Sequence, residues 1–267
     1  MHTKMKAPVM NKTMNTRTFK ARNLAVVALA LFSTLGMSAH AEEEKLMHAN
    51  NDVANKASLQ RGARNFVNYC SGCHSAKYVR WNRLAVDLDL TDAQVKDNLI
   101  FTGAKATDSM TINMDPADGK SWFGKTPPDL SLIARSRGAD YLYTFLHSFY
   151  LDASRPTGMN NVVLPAVAMP NVLWELQGLQ KAVYEGKTSE DGKRVDKEFK
   201  GLEAETKGKL SPEEYDEFVR DTVNFLDYVG EPGQVERRSL GIRVTGFLLI
   251  LFLLAYALKK EYWKDVK

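Results

Sequence analysis

The sequence predicts a mainly α-helical domain that stands between an N-terminal leader and one C-terminal membrane helix. Three observations carry this prediction: a basic and then apolar N-terminus, a long apolar run near the C-terminus, and helical spacing of apolar residues between them. With 267 residues, of which 44% are hydrophobic and 25% charged, the chain is long enough to bury a core. This composition excludes collagen-like and wholly disordered proteins.

Residues 1–41 have the layout of a secretory signal peptide. Six basic residues and no acidic residue lie in this stretch, an apolar run covers Leu24 to Phe32, and Ala39-His40-Ala41 offers a small-x-small cleavage site. An uncleaved anchor is the alternative, but the apolar run is shorter than the roughly 20 residues that a bilayer needs.

A second apolar run, Leu240 to Leu258, predicts a membrane-spanning helix over residues 240–258. Its only charge is Arg243, near one end, from where a long side chain reaches the interface. As a helix it is ~28 Å long, enough for the hydrocarbon core. A buried core helix is the alternative, but no polar stripe interrupts the run.

The charges that flank this helix predict its orientation. Four lysines lie in the tail, residues 259–267, so the positive-inside rule places the tail in the cytoplasm. Residues 42–239 are then an exported domain, which we expect in the periplasm on a single-pass anchor in a bacterial inner membrane.

The net charge of +4 would suggest an anionic partner if the charges were evenly spread. They are not, because the leader holds six basic residues, whereas residues 42–239 hold 25 basic and 30 acidic residues. The exported domain is therefore acidic, which argues against a nucleic acid and favours a basic soluble partner.

The two cysteines of the chain lie in Cys70-Ser71-Gly72-Cys73-His74, the pattern of c-type haem attachment. In such sites both thiols bind the porphyrin edge and the adjacent histidine binds the iron. A disulfide across three residues would close almost no loop, and a structural zinc site needs a second ligand pair. A redox dithiol would follow a strand, and no strand is predicted before Cys70. One motif predicts one covalent haem c.

Two helices are expected to support this motif. Ser58 is the predicted N-cap of a helix that continues to Tyr69, with Gly62 and Phe66 on one face. Residues 211–214 form a predicted N-cap, proline and capping-box acid, and they begin a second apolar-striped helix that ends at Gly230 and Pro232. The pair resembles the crossing terminal helices of class I cytochromes c.

Met169 is the predicted sixth ligand of the iron. It stands in an apolar segment bounded by Pro165 and Pro170, which would hold a loop stiffly. The other methionines considered, Met110, Met114 and Met159, lie in polar, turn-rich surroundings that suit surface or gap-filling residues. His147 is the rival, although a histidine among aromatic residues is more often part of a core.

The ordered set of motifs resembles the cytochrome c1 family, the haem subunit of the cytochrome bc1 complex, over nearly the whole mature chain. The matching pieces are residues 70–74, Pro127-Pro128-Asp129-Leu130-Ser131 followed by Arg135, Ala168-Met169-Pro170, residues 227–232, and the lysine-flanked anchor. The resemblance implies a class I cytochrome c-like fold with inserted loops.

The resemblance also implies roles for single residues. Cys70 and Cys73 would form the thioethers, and His74 and Met169 would be the axial ligands. Arg135 would pair with a haem propionate, although Arg135 or Arg137 alone reads equally well as a surface residue. The segment Pro127-Pro128 would line the pocket, and one of its carbonyls is an expected acceptor for the His74 ring N–H.

The function implied is a one-electron relay that is not catalytic in isolation. Electrons would pass from the Rieske iron–sulfur protein to a soluble cytochrome c, in a complex with cytochrome b. The alternatives are a membrane-anchored cytochrome c that serves a terminal oxidase or a dehydrogenase, and a haem-free thiol–disulfide protein. Residues 185–209, which are charged and poor in large apolar side chains, predict an exposed hairpin or loop.

Overall fold

A computed structural model describes residues 46–112, 114–188 and 195–265. The predicted signal peptide, residues 1–41, lies outside the described residues. The elements in chain order are α1 Lys56–Tyr69, β1 Ala76–Arg80, α2 Trp81–Asp87, α3 Asp92–Leu99, β2 Ser109–Met110, α4 Pro116–Phe123, α5 Ile133–Arg137, α6 Ala139–His147, β3 Phe149–Leu151, β4 Met159–Asn161, α7 Trp174–Gln177, β5 Gln180–Thr188, β6 Val195–Ala204, α8 Pro212–Gly230 and α9 Gln234–Tyr262. The prediction of a mainly α-helical chain is confirmed.

The strands of the described chain form three separate two-stranded antiparallel pairs, β1 with β2, β3 with β4, and β5 with β6. The β5–β6 pair is the hairpin expected within residues 185–209, but its first strand begins earlier, at Gln180. Tyr184 and Phe199 pack edge to face on this hairpin, 5.9 Å apart, and both remain exposed.

Helices α1 and α8 cross at close range and form the centre of the core. A Cβ atom on Gly62 would lie 2.0 Å from the backbone oxygen of Asp221, so only glycine permits this approach. One turn further along α1, the rings of Phe66 and Phe225 pack 5.5 Å apart. The predicted contact through a small residue and an aromatic residue is confirmed.

The predicted start of α8 is confirmed, whereas the predicted start of α1 is wrong. At α8, Ser211 Oγ accepts from Glu214 N and the Glu214 carboxylate accepts from Ser211 N, a complete capping box. At α1 the N-cap is Asn55, whose side chain accepts from Ser58 N at 3.1 Å. Ser58 is instead buried and donates to Asp221 Oδ1 at 2.6 Å.

The segment before α1 crosses the surface of α6. Met47 N donates to Thr144 Oγ1 at 2.8 Å, and Ala49 N donates to Asp140 Oδ1 at 2.8 Å. The other Asp140 oxygen lies 2.9 Å from His48 Nδ1. The Ala49 N–H and, more weakly, His48 hold the pKa of Asp140 below its usual range despite opposing desolvation.

Helix α9 is longer than the predicted span, because it extends from Gln234 to Tyr262. It is long and apolar enough to cross a membrane, and it contains the predicted residues 240–258. From Val235 onward its side chains are exposed, so the helix offers its apolar surface to lipid or to partner helices.

Gly62→Ala is expected to lower the free energy of unfolding by about 1–3 kcal/mol, because its Cβ would force α1 and α8 apart. Gly233→Ala is the matched control, since nothing lies within 4 Å of a Cβ at that position. Denaturant unfolding of the detergent-solubilised chain measures both variants. Equal stability of the two variants would contradict the close crossing.

Asp140→Asn is expected to destabilise the chain at pH 7 by about 1 kcal/mol or less, through loss of the charged acceptor. Because the folded pKa lies below the unfolded value of about 3.9, this contribution is present above that value and is lost as the pH falls through the folded pKa. Melting temperatures of wild type and variant should therefore converge below pH ~4. Asp97→Asn, at an exposed position, is the control. A difference in melting temperature between wild type and Asp140→Asn that stays constant with pH would contradict the lowered pKa of Asp140.

Candidate functional site

The cysteine–histidine motif forms a tight turn directly after α1. Cys70 N still donates to Phe66 O at 2.8 Å, and Cys73 N and His74 N both donate to Cys70 O, at 3.1 and 2.9 Å. Both thiols are free and partly buried. The crossing of α1 and α8 therefore fixes the position of the turn as well.

The environment of this turn does not suit a redox dithiol. Burial raises the pKa of Cys70 to about 12, with a smaller contribution from the charge of Cys73. Redox-active pairs need a lowered thiol pKa, which helix N-termini supply, whereas Cys70 stands at the C-terminal end of α1. The arrangement presents two free thiols on one turn of backbone.

His74 is the best-defined side chain of the site. Only 9% of it is exposed, and its Nδ1 lies 2.8 Å from the backbone oxygen of Pro128. A carbonyl can only accept, so Nδ1 carries a proton, and in the neutral ring Nε2 keeps its lone pair. Burial lowers the pKa of His74 against the opposing effects of Pro128 and Asp129, which keeps the ring in the neutral form that binds metals.

The Pro128 segment is attached to the chain that follows His74 by three hydrogen bonds. Leu130 N donates to Ser75 O at 2.8 Å, Lys77 N to Asp129 Oδ2 at 3.1 Å, and Tyr78 N to the buried Ser131 Oγ at 3.1 Å. Burial alone would raise the pKa of Asp129, but the bonds from Ser131 and Lys77 hold it below its usual range.

An apolar cleft opens beside His74. Its lining includes Phe66, Val67, Trp81, Leu99, Met110 and Ile112. Met110 is only 3% exposed and Met159 7%, so these two methionines belong to the core and not to the surface. Two free thiols, one neutral imidazole with a free Nε2 and an apolar cleft are the set that a covalently attached haem requires. The residues present fit haem c.

Met169 lies in a different part of the core. It packs, partly buried, against a small cluster formed by Phe149, Met159 and Val167. The hydrogen bonds of the described chain join Cys70, Cys73, His74 and Pro128, and they do not bring Met169 to this group. Its assignment as the sixth ligand stays a prediction.

Arg135 carries an ion pair that the sequence did not indicate. Its Nη1 donates to Glu231 Oε2 at 2.5 Å, and Glu231 also pairs with Arg237. Hydrogen bonding by Arg237 is the largest cause that lowers the pKa of Glu231, and Arg135 adds to it. Since 54% of its side chain is exposed, Arg135 binds a protein carboxylate at the surface, and its pairing with a propionate stays a prediction.

His147 has the surroundings of a core histidine. Its Nδ1 lies 2.8 Å from Tyr143 O, and the rings of Tyr143 and Tyr215 pack against it at 4.5 and 5.2 Å. Burial lowers its pKa to about 4, with Arg220 as a smaller cause. Its Nε2 lies 3.7 Å from Asp216 Oδ1, so both ring nitrogens face protein groups.

Sequence reasoning missed Ser75, Asp129 and Ser131 as supports of the site. The spacing of Asp129 and Ser131 carries a local signal, since Asp129 Oδ1 accepts from Ser131 N at 2.9 Å in an Asx turn. The partners of this turn at Lys77 and Tyr78 lie more than fifty residues away, and no local pattern indicates them.

Comparison with known proteins agrees with the geometry. The model of the cytochrome C1 family matches residues 47–266. A cytochrome c1 of Allochromatium vinosum is 49% identical over 245 residues, which cover 92% of this chain and 99% of the relative. A protein of Nitrosomonas europaea named ammonia monooxygenase gamma subunit is 46% identical over 226 residues, 84% of this chain and 90% of that protein. A Bradyrhizobium diazoefficiens protein named cytochrome b/c1 is 28% identical over 244 residues, 79% of this chain and 33% of that protein.

The matched range contains the cysteine–histidine turn, the Pro128 segment, the Met169 loop and the whole of α9. It therefore covers both the haem-binding motif and the membrane-type helix, and the chain belongs to the cytochrome c1 family.

Proposed function

We propose that this chain, by family a haem-carrying electron-transfer subunit of bc1 type, relays single electrons from a Rieske iron–sulfur protein to a soluble cytochrome c. The observation that carries the proposal is the turn at Cys70–His74, where two free thiols stand beside a buried imidazole held by Pro128 O. When bound, haem c supplies an iron that alternates between Fe(II) and Fe(III).

Each residue of the site has a distinct task. Cys70 and Cys73 would attach haem c through thioethers, and His74 Nε2 and the sulfur of Met169 would bind its iron. An iron with these two protein ligands would have no free position for oxygen or peroxide, which argues against oxidase chemistry. We assign one haem c to the chain, because it has one such motif.

The protein around His74 tunes this site. The Pro128 carbonyl accepts the Nδ1 proton, fixes the ring tautomer and makes Nε2 a stronger ligand. The apolar cleft beside the ring excludes water, and a His/Met pair in such a shell raises the reduction potential. We assign Arg135 to a haem propionate, a carboxylate like that of its present partner Glu231.

Charge and hydrophobicity support the proposed partners. The head, residues 42–239, has 25 basic and 30 acidic residues, which suits a basic soluble cytochrome c. Helix α9 would anchor the head beside cytochrome b, and the name of the Bradyrhizobium relative joins these two components. We place the head in the periplasm and the lysine-rich tail in the cytoplasm of a bacterial inner membrane, after removal of residues 1–41.

A membrane-anchored cytochrome c that serves a terminal oxidase or a dehydrogenase is the competing function. It would use the same turn and the same anchor, so the site does not separate it from the main proposal. The names of the Allochromatium and Bradyrhizobium relatives favour the bc1 complex.

Met169→Leu is expected to abolish the methionine–iron absorption band and to lower the reduction potential, by on the order of a tenth or more of the ~0.8 V that axial ligands span. The pyridine haemochrome should stay c-type, because both cysteines are unchanged. Met110→Leu is the matched control, since Met110 lines the cleft beside His74. If Met169→Leu retains the methionine–iron band, Met169 is not the iron ligand. If only Met110→Leu loses the band, Met110 is the ligand instead.

Gentle solubilisation of membranes and affinity capture of this chain should recover cytochrome b and a Rieske protein in equal amounts with it. A variant in which a foreign single-span helix replaces residues 234–262 is the control for contacts made by α9. Recovery of oxidase or dehydrogenase subunits, without cytochrome b, would contradict the main proposal and support the competing one.

A further inference from the structure

The loop that leads to Met169 contains a backbone conformation that side chains rarely adopt. Ala166 has a φ of +62°, in the left-handed region where glycine is the usual residue. It lies three residues before Met169 and directly after Pro165. Such conformations persist only where the surroundings hold them, and they concentrate at functional sites.

Two side chains hold Ala166, one on each side. Asn160 Oδ1 accepts from Ala166 N at 2.8 Å, and Arg155 Nη2 donates to Ala166 O at 3.1 Å. Asn160 is itself fixed, because its Nδ2 donates to Asp152 Oδ2 at 2.9 Å. Both polar groups of the left-handed residue are thus bound by side chains of the β3–β4 hairpin and its turn.

The hairpin is a rigid support for these two side chains. Strands β3 and β4 pair in register, Phe149 with Asn161 and Leu151 with Met159. Asn161 is fully buried, and its Nδ2 donates to Phe145 O at 2.8 Å, which joins the hairpin to α6. Val167, the residue after Ala166, is 5% exposed and packs against Phe149 in the same cluster as Met169.

The prolines leave little other freedom in this loop. Pro165 has a fixed φ, and Pro170 restricts Met169 to extended conformations. The direction in which the chain arrives at Met169 is therefore decided mainly by residues 166–168, which lie between Pro165 and Met169. A change of Ala166 to a negative φ would turn this stretch away from its present course.

We propose that Arg155 and Asn160 are positioning residues that hold Ala166 in its left-handed conformation and so direct Met169 to the haem iron. This inference rests on the proposed role of Met169 as an axial ligand. The hairpin then has a task in electron transfer, because it keeps the sixth ligand on the iron and with it the potential of the site.

The test compares the haem-loaded full chain in detergent with Arg155→Met and with the double variant Arg155→Met/Ala166→Gly. In Arg155→Met we expect loss of most of the methionine–iron band, a lowered reduction potential, and carbon monoxide binding by the reduced form. Glycine adopts a positive φ without strain, so the double variant should recover band and potential. Arg64→Met, on the exposed side of α1, should behave as wild type.

The outcomes separate this inference from the ligand assignment. An unchanged band and potential in Arg155→Met would overturn the inference, as would a loss that Ala166→Gly does not reverse, which marks general unfolding of the loop. If Met169→Leu itself keeps the band, the ligand assignment fails. If Met169→Leu loses the band while Arg155→Met keeps it, Met169 remains the assigned ligand, and only the positioning role of Arg155 and Asn160 is wrong.

Discussion

The contact between Gly62 and the backbone of α8 determines where the redox site lies. The backbone oxygen of Asp221 on α8 lies where a side chain at Gly62 on α1 would be. This close contact fixes both the distance between the two helices and the position along each helix at which they cross. Buried polar groups lock the crossing, since Asp221 accepts from Ser58 and from Arg61. The turn at Cys70 directly continues α1, so the helix crossing also fixes the positions of its two thiols and of His74.

A second constraint comes from the Pro128 segment, which is far away in sequence. Pro127 and Pro128 lie outside every described helix and strand, so their carbonyls are not used in regular secondary structure and are available to side chains. The Pro128 carbonyl accepts a hydrogen bond from His74 Nδ1, and the hydrogen bonds that Asp129, Leu130 and Ser131 make with residues 75–78 keep that carbonyl in place. Ring orientation and tautomer are thereby set by backbone geometry, which tolerates changes of nearby side chains better than a side-chain partner would.

Local sequence patterns were sufficient to predict the features that depend only on residues close together in the sequence. Helical spacing, the capping box at Ser211 and the length of the apolar run predicted α1, α8 and α9, and the spacing of Cys70, Cys73 and His74 predicted the chemistry. The N-cap of α1 is Asn55 and not Ser58, because the Ser58 hydroxyl donates to Asp221, which is distant in sequence. The pairing of Arg135 with Glu231 and the left-handed Ala166 also depend on distant partners, which no local window contains.

The junction of α8 and α9 limits how the head can move. Only residues 231–233 separate the two helices, and Glu231 there binds Arg135 of α5 and Arg237 of α9. A three-residue joint that is bridged on both sides resists rotation, unlike a flexible tether. Rotation of the domain that carries the cysteine–histidine turn about α9 would therefore have to break the ion pairs of Glu231.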